Sequence, residues 1–337
     1  MTHHATAATA AAGLQSWTGE LRATFTLAWP LVIAQLAQNA LTTTDVIMMG
    51  WLGPEQLAAG TLATTFIMPF LVGAIGVVGA VAPMVAQARG AGDIKSVRLI
   101  VRQGFWAAAA LAILLIPLVL QVKTVFGWLG QDLASTERAH GYVQIAAWMI
   151  LPALGIVALR SLLSAFEATR IILAITVGGV FLNAMGNYLL MFGHFGLPRL
   201  ELRGAALSTV VTNVVMLVLF VAYVLVNARF RRFHVLAHLW QPDWRRLGEI
   251  FRIGLPIGFT VLAEVGLFTA AALLMGRLGT DEVAAHAIAL QCSSMSFMVP
   301  LGMGIAATVR VGMAYGRGDA EGVRRAGWTA FVLGTAF

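Results

Sequence analysis

Two stretches decide the fold: "PLVIAQLAQNALTTTDVIMMGWLGPEQLAAG" at residues 30–60 and "PIGFTVLAEVGLFTAAALLMGRLGTDEVAAH" at residues 256–286. They align without a gap at an offset of 226 residues (256 − 30), and the register holds from Leu21 to Arg98. Of those 78 positions, 23 are identical. Ala and Leu inflate such a count in an apolar chain. Pro30/Pro256, Gly50/Gly276, Gly53/Gly279, Gly90/Gly316, Asp93/Asp319 and Arg98/Arg324 are harder to match by chance, and they mark an internal repeat.

Outward from this repeat, the chain has the composition of a membrane protein. Hydrophobic residues make up 59% and charged residues 11%, with mean hydropathy +0.84. A soluble domain carries about 25% charged residues. Apolar runs long enough to cross a bilayer as helices are read at 25–49, 56–86, 99–121, 142–165, 171–194, 204–227, 250–276 and 283–313, with a ninth from Val323. Barrel strands would be shorter and alternating. The polar, Ala-rich start lacks a charged n-region and reads as a tail, not a signal peptide. The reading divides the chain into a tail (1–20), a six-helix first lobe (21–228), a cytoplasmic linker (229–249) and a second lobe (250–337).

Basic residues set the expected orientation. Arg89, Lys95, Arg98, Arg102, Arg170, Arg229, Arg231, Arg232, Arg245, Arg246, Arg252, Arg317, Arg324 and Arg325 follow even-numbered spans. The odd-numbered loops hold Lys123, Arg138, Arg199, Arg203 and Arg277. The excess places the N-terminus in the cytoplasm. The net charge of +7 is this bias, without a polar basic domain to suggest nucleic-acid binding. Cys292 is the only cysteine, excludes an internal disulfide, and is expected to pack as a small hydrophobe.

The offset spans six helices, an even number, so both copies enter the membrane from one side. That is a parallel repeat about an axis along the membrane normal, an arrangement of transporters. Two six-helix lobes are expected, the second incomplete, with about 8–9 of 12 helices present and the ninth cut off. The stretches "LAWPLVIAQLAQNALTTTDVIMMGWLG", "PMVAQARGAGD", "FLNAMGNYLLMFGHFGLPRLELRGAALST" and "VAAHAIALQCSSMSFMVPLGMGIAATVRVGMAYGRGD" resemble the multidrug and toxic compound extrusion (MATE) family, in its bacterial NorM-like branch. The resemblance covers nearly all of the chain after residue 20. It implies a multi-pass protein of the plasma membrane that exports drugs and organic cations in exchange for H⁺ or Na⁺, without ATP or a cofactor and as a monomer. No P-loop, nucleophile–base pair or metal cluster points to an enzyme.

Polar residues at depth are the candidate site, because ionisable groups inside membrane helices commonly face a cavity and carry function. Asp45 lies near the outer end of the first span. Asn183 and Asn187 are spaced i,i+4 on one face of the fifth, and Ser208 and Thr209 begin the sixth. The resemblance implies that Asp45, Asn183, Asn187 and Thr209 form the first-lobe cation site. Some relatives carry an acid where Asn187 stands, which argues against strong Na⁺ selectivity here. Hydrogen bonding between packed helices would place the same Asn residues equally well. Glu264, midway along the seventh span, matches an acid of the second-lobe site. Gln35, Gln38 and Asn39 share the first helix with Asp45 and either line the substrate path or tie helices together.

Further expectations concern the remaining residues. His286 is expected to pack at a helix end. Met48, Met49, Met295, Met298 and Met303 either fill gaps or offer an adaptable apolar surface. Asp93 and Asp319 are expected to pair with Arg98 and Arg324. The alternatives to export are a lipid-linked precursor flippase, which would need buried basic residues that this reading does not find, and a non-transporting membrane fragment.

Overall fold

A computed structural model describes residues 17–128, 130, 132–196, 198–231, 233, 240–275 and 280–336. The helices are α1 Trp17–Trp51, α2 Pro54–Gly79, α3 Val81–Gly90, α4 Ile94–Val119, α5 Val122–Trp128, α6 Leu133–Ala146, α7 Ile150–Ala165, α8 Thr169–Phe192, α9 Glu201–Val226, α10 Ala228–Arg231, α11 Trp244–Met275, α12 Thr280–Gly316 and α13 Ala320–Thr335. A single 3₁₀ turn, Ala147–Met149, joins α6 to α7. Among the described residues there is no strand. The described residues of the expected spans are largely helical: each helix begins before the expected limit, while α4, α8 and α9 end one or two residues short of it.

Among the described residues, seven stretches are long and apolar enough to cross a membrane: Pro54–Gly90, Ile94–Val119, Leu133–Ala165, Thr169–Phe192, Glu201–Val226, Trp244–Ala271 and Ala289–Gly316. The first helix, α1, is not among them. It is long, but Gln35, Gln38, Asn39, Thr42, Thr43, Thr44 and Asp45 lower its hydropathy. Other helices cover part of its polar face: Gln35 bonds Arg160 and Asp45 is buried, while Thr42 is exposed. Within the stretch 229–249, α10 covers the start and α11 begins at Trp244.

The repeat is visible in the packing. Helix α1 lies against α12, and α2 against α11, the same pairing seen from each lobe. At the 226 offset, Gly76 meeting Gly258 is the counterpart of Gly302 meeting Val32. Gly90 meeting Met313 is the counterpart of Gly316 meeting Gln87, and Gly312 meeting Ala86 is its own counterpart. The pseudo-two-fold axis therefore runs between Ala86 and Gly312. The backbones approach so closely at these crossings that a Cβ on Gly90 or Gly316 would overlap a carbonyl oxygen of the other lobe. Small residues that admit such approach are the usual means of joining helices in lipid.

The turns after α3 and α12 repeat as well. Gly92 and Gly318 take φ of +73° and +72°, a conformation that favours glycine. Asp93 then caps α4 by accepting from the Ser96 amide at 3.0 Å, and Asp319 caps α13 by accepting from the Gly322 amide at 2.8 Å. The expected pairs with Arg98 and Arg324 do not form. Capping geometry takes the carboxylates first, and Arg324 turns to Glu321. The Ser96 hydroxyl and amide also hold the Asp93 carboxyl below its ordinary pKa.

Candidate functional site

Helices α8 and α9 form an antiparallel pair joined by a short loop. Glycine lets them touch: a Cβ on Gly186 would overlap the Ser208 hydroxyl, and one on Gly204 would lie 2.5 Å from the Leu190 carbonyl oxygen. This approach brings Asn183 and Asn187 of α8 against Ser208 and Thr209 of α9. Helix α1, packed on α8, adds Asp45 from the end away from the chain's N-terminus.

The Asn187 side-chain amide donates to Asp45 Oδ1 at 2.6 Å and to Asn183 Oδ1 at 3.3 Å. The Thr209 hydroxyl lies 3.3 Å from Asp45 Oδ2 and 3.0 Å from the Ala205 carbonyl oxygen. Asn183 Nδ2 donates to Thr209 Oγ1 at 3.4 Å, and the Ser208 hydroxyl donates to the Asn183 carbonyl at 3.0 Å. Asp45 is 7% exposed, Thr209 7%, and both Asn residues 0%. Four residues from three separate spans thus meet in one buried cluster.

One atom in the cluster stands out. Asn187 Oδ1 is buried and has no hydrogen-bond partner among the described residues. A buried acceptor left unmade costs free energy, and this one belongs to the same amide that donates to Asp45. Turning that amide over would exchange a donor for an acceptor at the carboxylate. The cluster can then serve either charge state of its centre. An ionised Asp45 takes the Asn187 N–H as now. A protonated Asp45, or a cation beside it, would take the oxygen. Carboxylate, amide and hydroxyl oxygens with one formal negative charge suit a proton or a monovalent hard cation. Among the described residues no group of three or more His, Cys, Asp or Glu could hold a metal ion.

The remaining candidates are placed apart from this cluster. Glu264 is exposed on α11, and Gln38 and Asn39 are half-buried on α1. Gln35 accepts from the Arg160 guanidinium at 2.7 Å, which ties α1 to α7. His286 is half-buried, and its Nε2 has no partner among the described residues. Met48 and Met49 are buried, and the Met49 sulfur fills the space over Gly60, so these two are packing residues. Met295, by contrast, is exposed. Cys292 is exposed too, contrary to expectation, on a part of α12 that is largely uncovered.

Sequence reasoning missed three features. Tyr142 of α6 is buried and close enough to Asp45 to feel its charge. Arg102 is buried and Arg160 half-buried, so basic side chains do lie inside the bundle. Glu20 and Arg310 form a buried ion pair. Only the Tyr142 position carried no signal at all, since a lone tyrosine in an apolar helix looks like any core aromatic.

A bundle of membrane-length helices, built from a parallel repeat and holding a buried carboxylate cluster in one lobe, is the architecture of a membrane transporter. The MatE family model matches residues 30–189 and 256–337. The chain belongs to this family of transporters and is not an enzyme. It is 44% identical over 322 residues to "Probable multidrug resistance protein NorM" of Rhizobium meliloti, covering 96% of this chain and 69% of the relative. The protein of the same description from Agrobacterium fabrum is 43% identical over 333 residues, covering 99% and 72%. The crystal structure of the eukaryotic MATE transporter AtDTX14 superposes with a TM-score of 0.84 at 20% identity, over 94% of this chain and 70% of that one.

Proposed function

We propose that the protein exports organic cations and other amphipathic toxic compounds across the plasma membrane, driven by inward movement of H⁺ or Na⁺ through alternating access. The buried Asp45 cluster with its free Asn187 oxygen carries this reading, and the multidrug-resistance names of the relatives support it. Asp45 is the group that takes up the proton or cation. Asn183, Asn187 and Thr209 supply the neutral dipoles that hold either charge state. Glu264 is the second ionisable group, on the other lobe. Gln38 and Asn39 belong to the substrate path, while Gln35 ties α1 to α7 through Arg160. Ion uptake from outside would shift the balance between outward-open and inward-open states by its differential affinity for the two.

Vesicles containing the protein, loaded with ethidium, test the function. Export is expected to require an imposed proton or Na⁺ gradient and to stop when an ionophore collapses it. Export that persists without either gradient, or none under both, contradicts the proposal.

The N-terminus lies in the cytoplasm on this reading. A reporter active only in the cytoplasm should be active when fused after Arg232 and silent when fused after Gly130, and the reverse result overturns the orientation.

A further inference from the structure

The two lobes meet most tightly at one end of the bundle, where α1 starts and α12 ends. Here the Arg310 guanidinium reaches across from α12 to Glu20 in the first turn of α1. Its Nε lies 2.8 Å from one carboxylate oxygen and its terminal nitrogen 2.6 Å from the other, a bidentate pair. The side chains are 10% and 8% exposed. Thr24 and Ala28 further along α1, and Ala306, Val309 and Met313 to either side of Arg310 on α12, are all buried. Glu167, which is bonded to Arg89 of α3, lies near enough to attract Arg310 as well.

The repeat shows that this pair is an addition to the seam and not part of its common scaffold. At the 226 offset Glu20 corresponds to Arg246 and Arg310 to Met84. Arg246 pairs instead with Glu249 of its own helix at 2.9 Å, with both side chains about a third exposed, and reaches the first lobe only through a neutral bond to the Ser96 hydroxyl at 3.2 Å. The glycine crossings therefore occur twice, and the buried ion pair occurs once. A buried pair contributes little net stability against an apolar equivalent, but separating it strands two charges, so its best-attested use is to fix one arrangement over another. Rigid lobes rocking apart here would have to pull Glu20 from Arg310. Helix α1 also carries Asp45, 25 residues further on, about 37 Å along the axis at 1.5 Å per residue. Thus one helix holds the ion site at one end and the pair at the other, with Pro30 between them.

We infer that Glu20 and Arg310 form an interlobe latch that holds the N-terminal, cytoplasmic end of the transporter closed in the outward-facing state, and that its release accompanies inward opening. The inference rests on the alternating-access reading above, but its test does not use transport. In a Cys292→Ser background, Met313→Cys places a small thiol in the closed seam, and a membrane-impermeant thiol reagent is applied from the cytoplasmic side. With the latch intact, labelling is expected to be slow. An open state populated at about 1% or less leaves room for a rise of about tenfold or more, and Glu20→Gln and Arg310→Gln should each produce it. The double exchange Glu20→Arg with Arg310→Glu should restore protection. If the single variants stay protected, or if the exchanged pair labels as fast as they do, the latch does not exist. Failure of ethidium export alone would leave this result unaffected.

Discussion

Replacing Asp45 by Asn is expected to lower gradient-driven export by about a hundredfold, the upper range of typical coupling between two ligands. Protein level and drug binding at equilibrium should change little. Asn has the shape of Asp: with its oxygen in the place of Oδ1 it keeps the bond from the Asn187 amide, and its NH₂ in the place of Oδ2 can donate to the Thr209 hydroxyl oxygen. What is lost is the negative charge and the ability to take up a proton. Export in Asp45→Asn that keeps full dependence on the ion gradient would make Asp45 a structural residue. Glu264→Gln in the same assay separates the second acid from the first. As an exposed residue outside the Asp45 cluster, Glu264 can be neutralised without disturbing the cluster's hydrogen bonds.

Alanine at Gly90 or Gly316 is expected to force the lobes apart. The added methyl would overlap the Met313 carbonyl in one case and the Gln87 carbonyl in the other. Backbone cannot swing aside as a flexible side chain can, and overpacking of this kind costs about 1–3 kcal/mol. The two variants should lose thermal stability by similar amounts, because the pseudo-two-fold axis makes their sites equivalent. Gly79→Ala is the control, since nothing lies within 4 Å of its added Cβ. Gly79→Ala should be neutral or slightly stabilising through better helix propensity. Equal melting temperatures for all three variants would mean that the seam is not packed as described.

The helices and their repeat were legible because apolar length and periodicity are local properties. Among the matches at the 226 offset, Gly90 and Gly316 proved to be interlobe crossings, Pro30 and Pro256 lie in helix interiors, and Asp93 and Asp319 are N-caps, while Gly276 and Gly279 lie outside the described residues. The Asp45 cluster was legible in its members, since an acid and two amides inside apolar helices are conspicuous. Its connections were not: which oxygen accepts from Asn187 depends on how closely Gly186 and Gly204 let two helices approach. The pairs Gln35–Arg160 and Glu20–Arg310 join residues 125 and 290 positions apart, and no window of sequence contains both partners. Asp93 was misread for a different reason. A carboxylate beside a basic helix suggests an ion pair, but the first free amides of that helix were nearer than the Arg98 side chain and carry the same attraction.

The central claim, that Asp45 is where ion and drug are coupled, is tested most directly by ion release on drug binding. Purified protein in a weakly buffered solution is titrated with ethidium while pH and free Na⁺ are recorded. The wild-type protein is expected to release protons or Na⁺ in proportion to the dye bound, and the Asp45→Asn variant to bind dye with no such release. Equal release from both proteins would contradict the assignment of Asp45 as the coupling group.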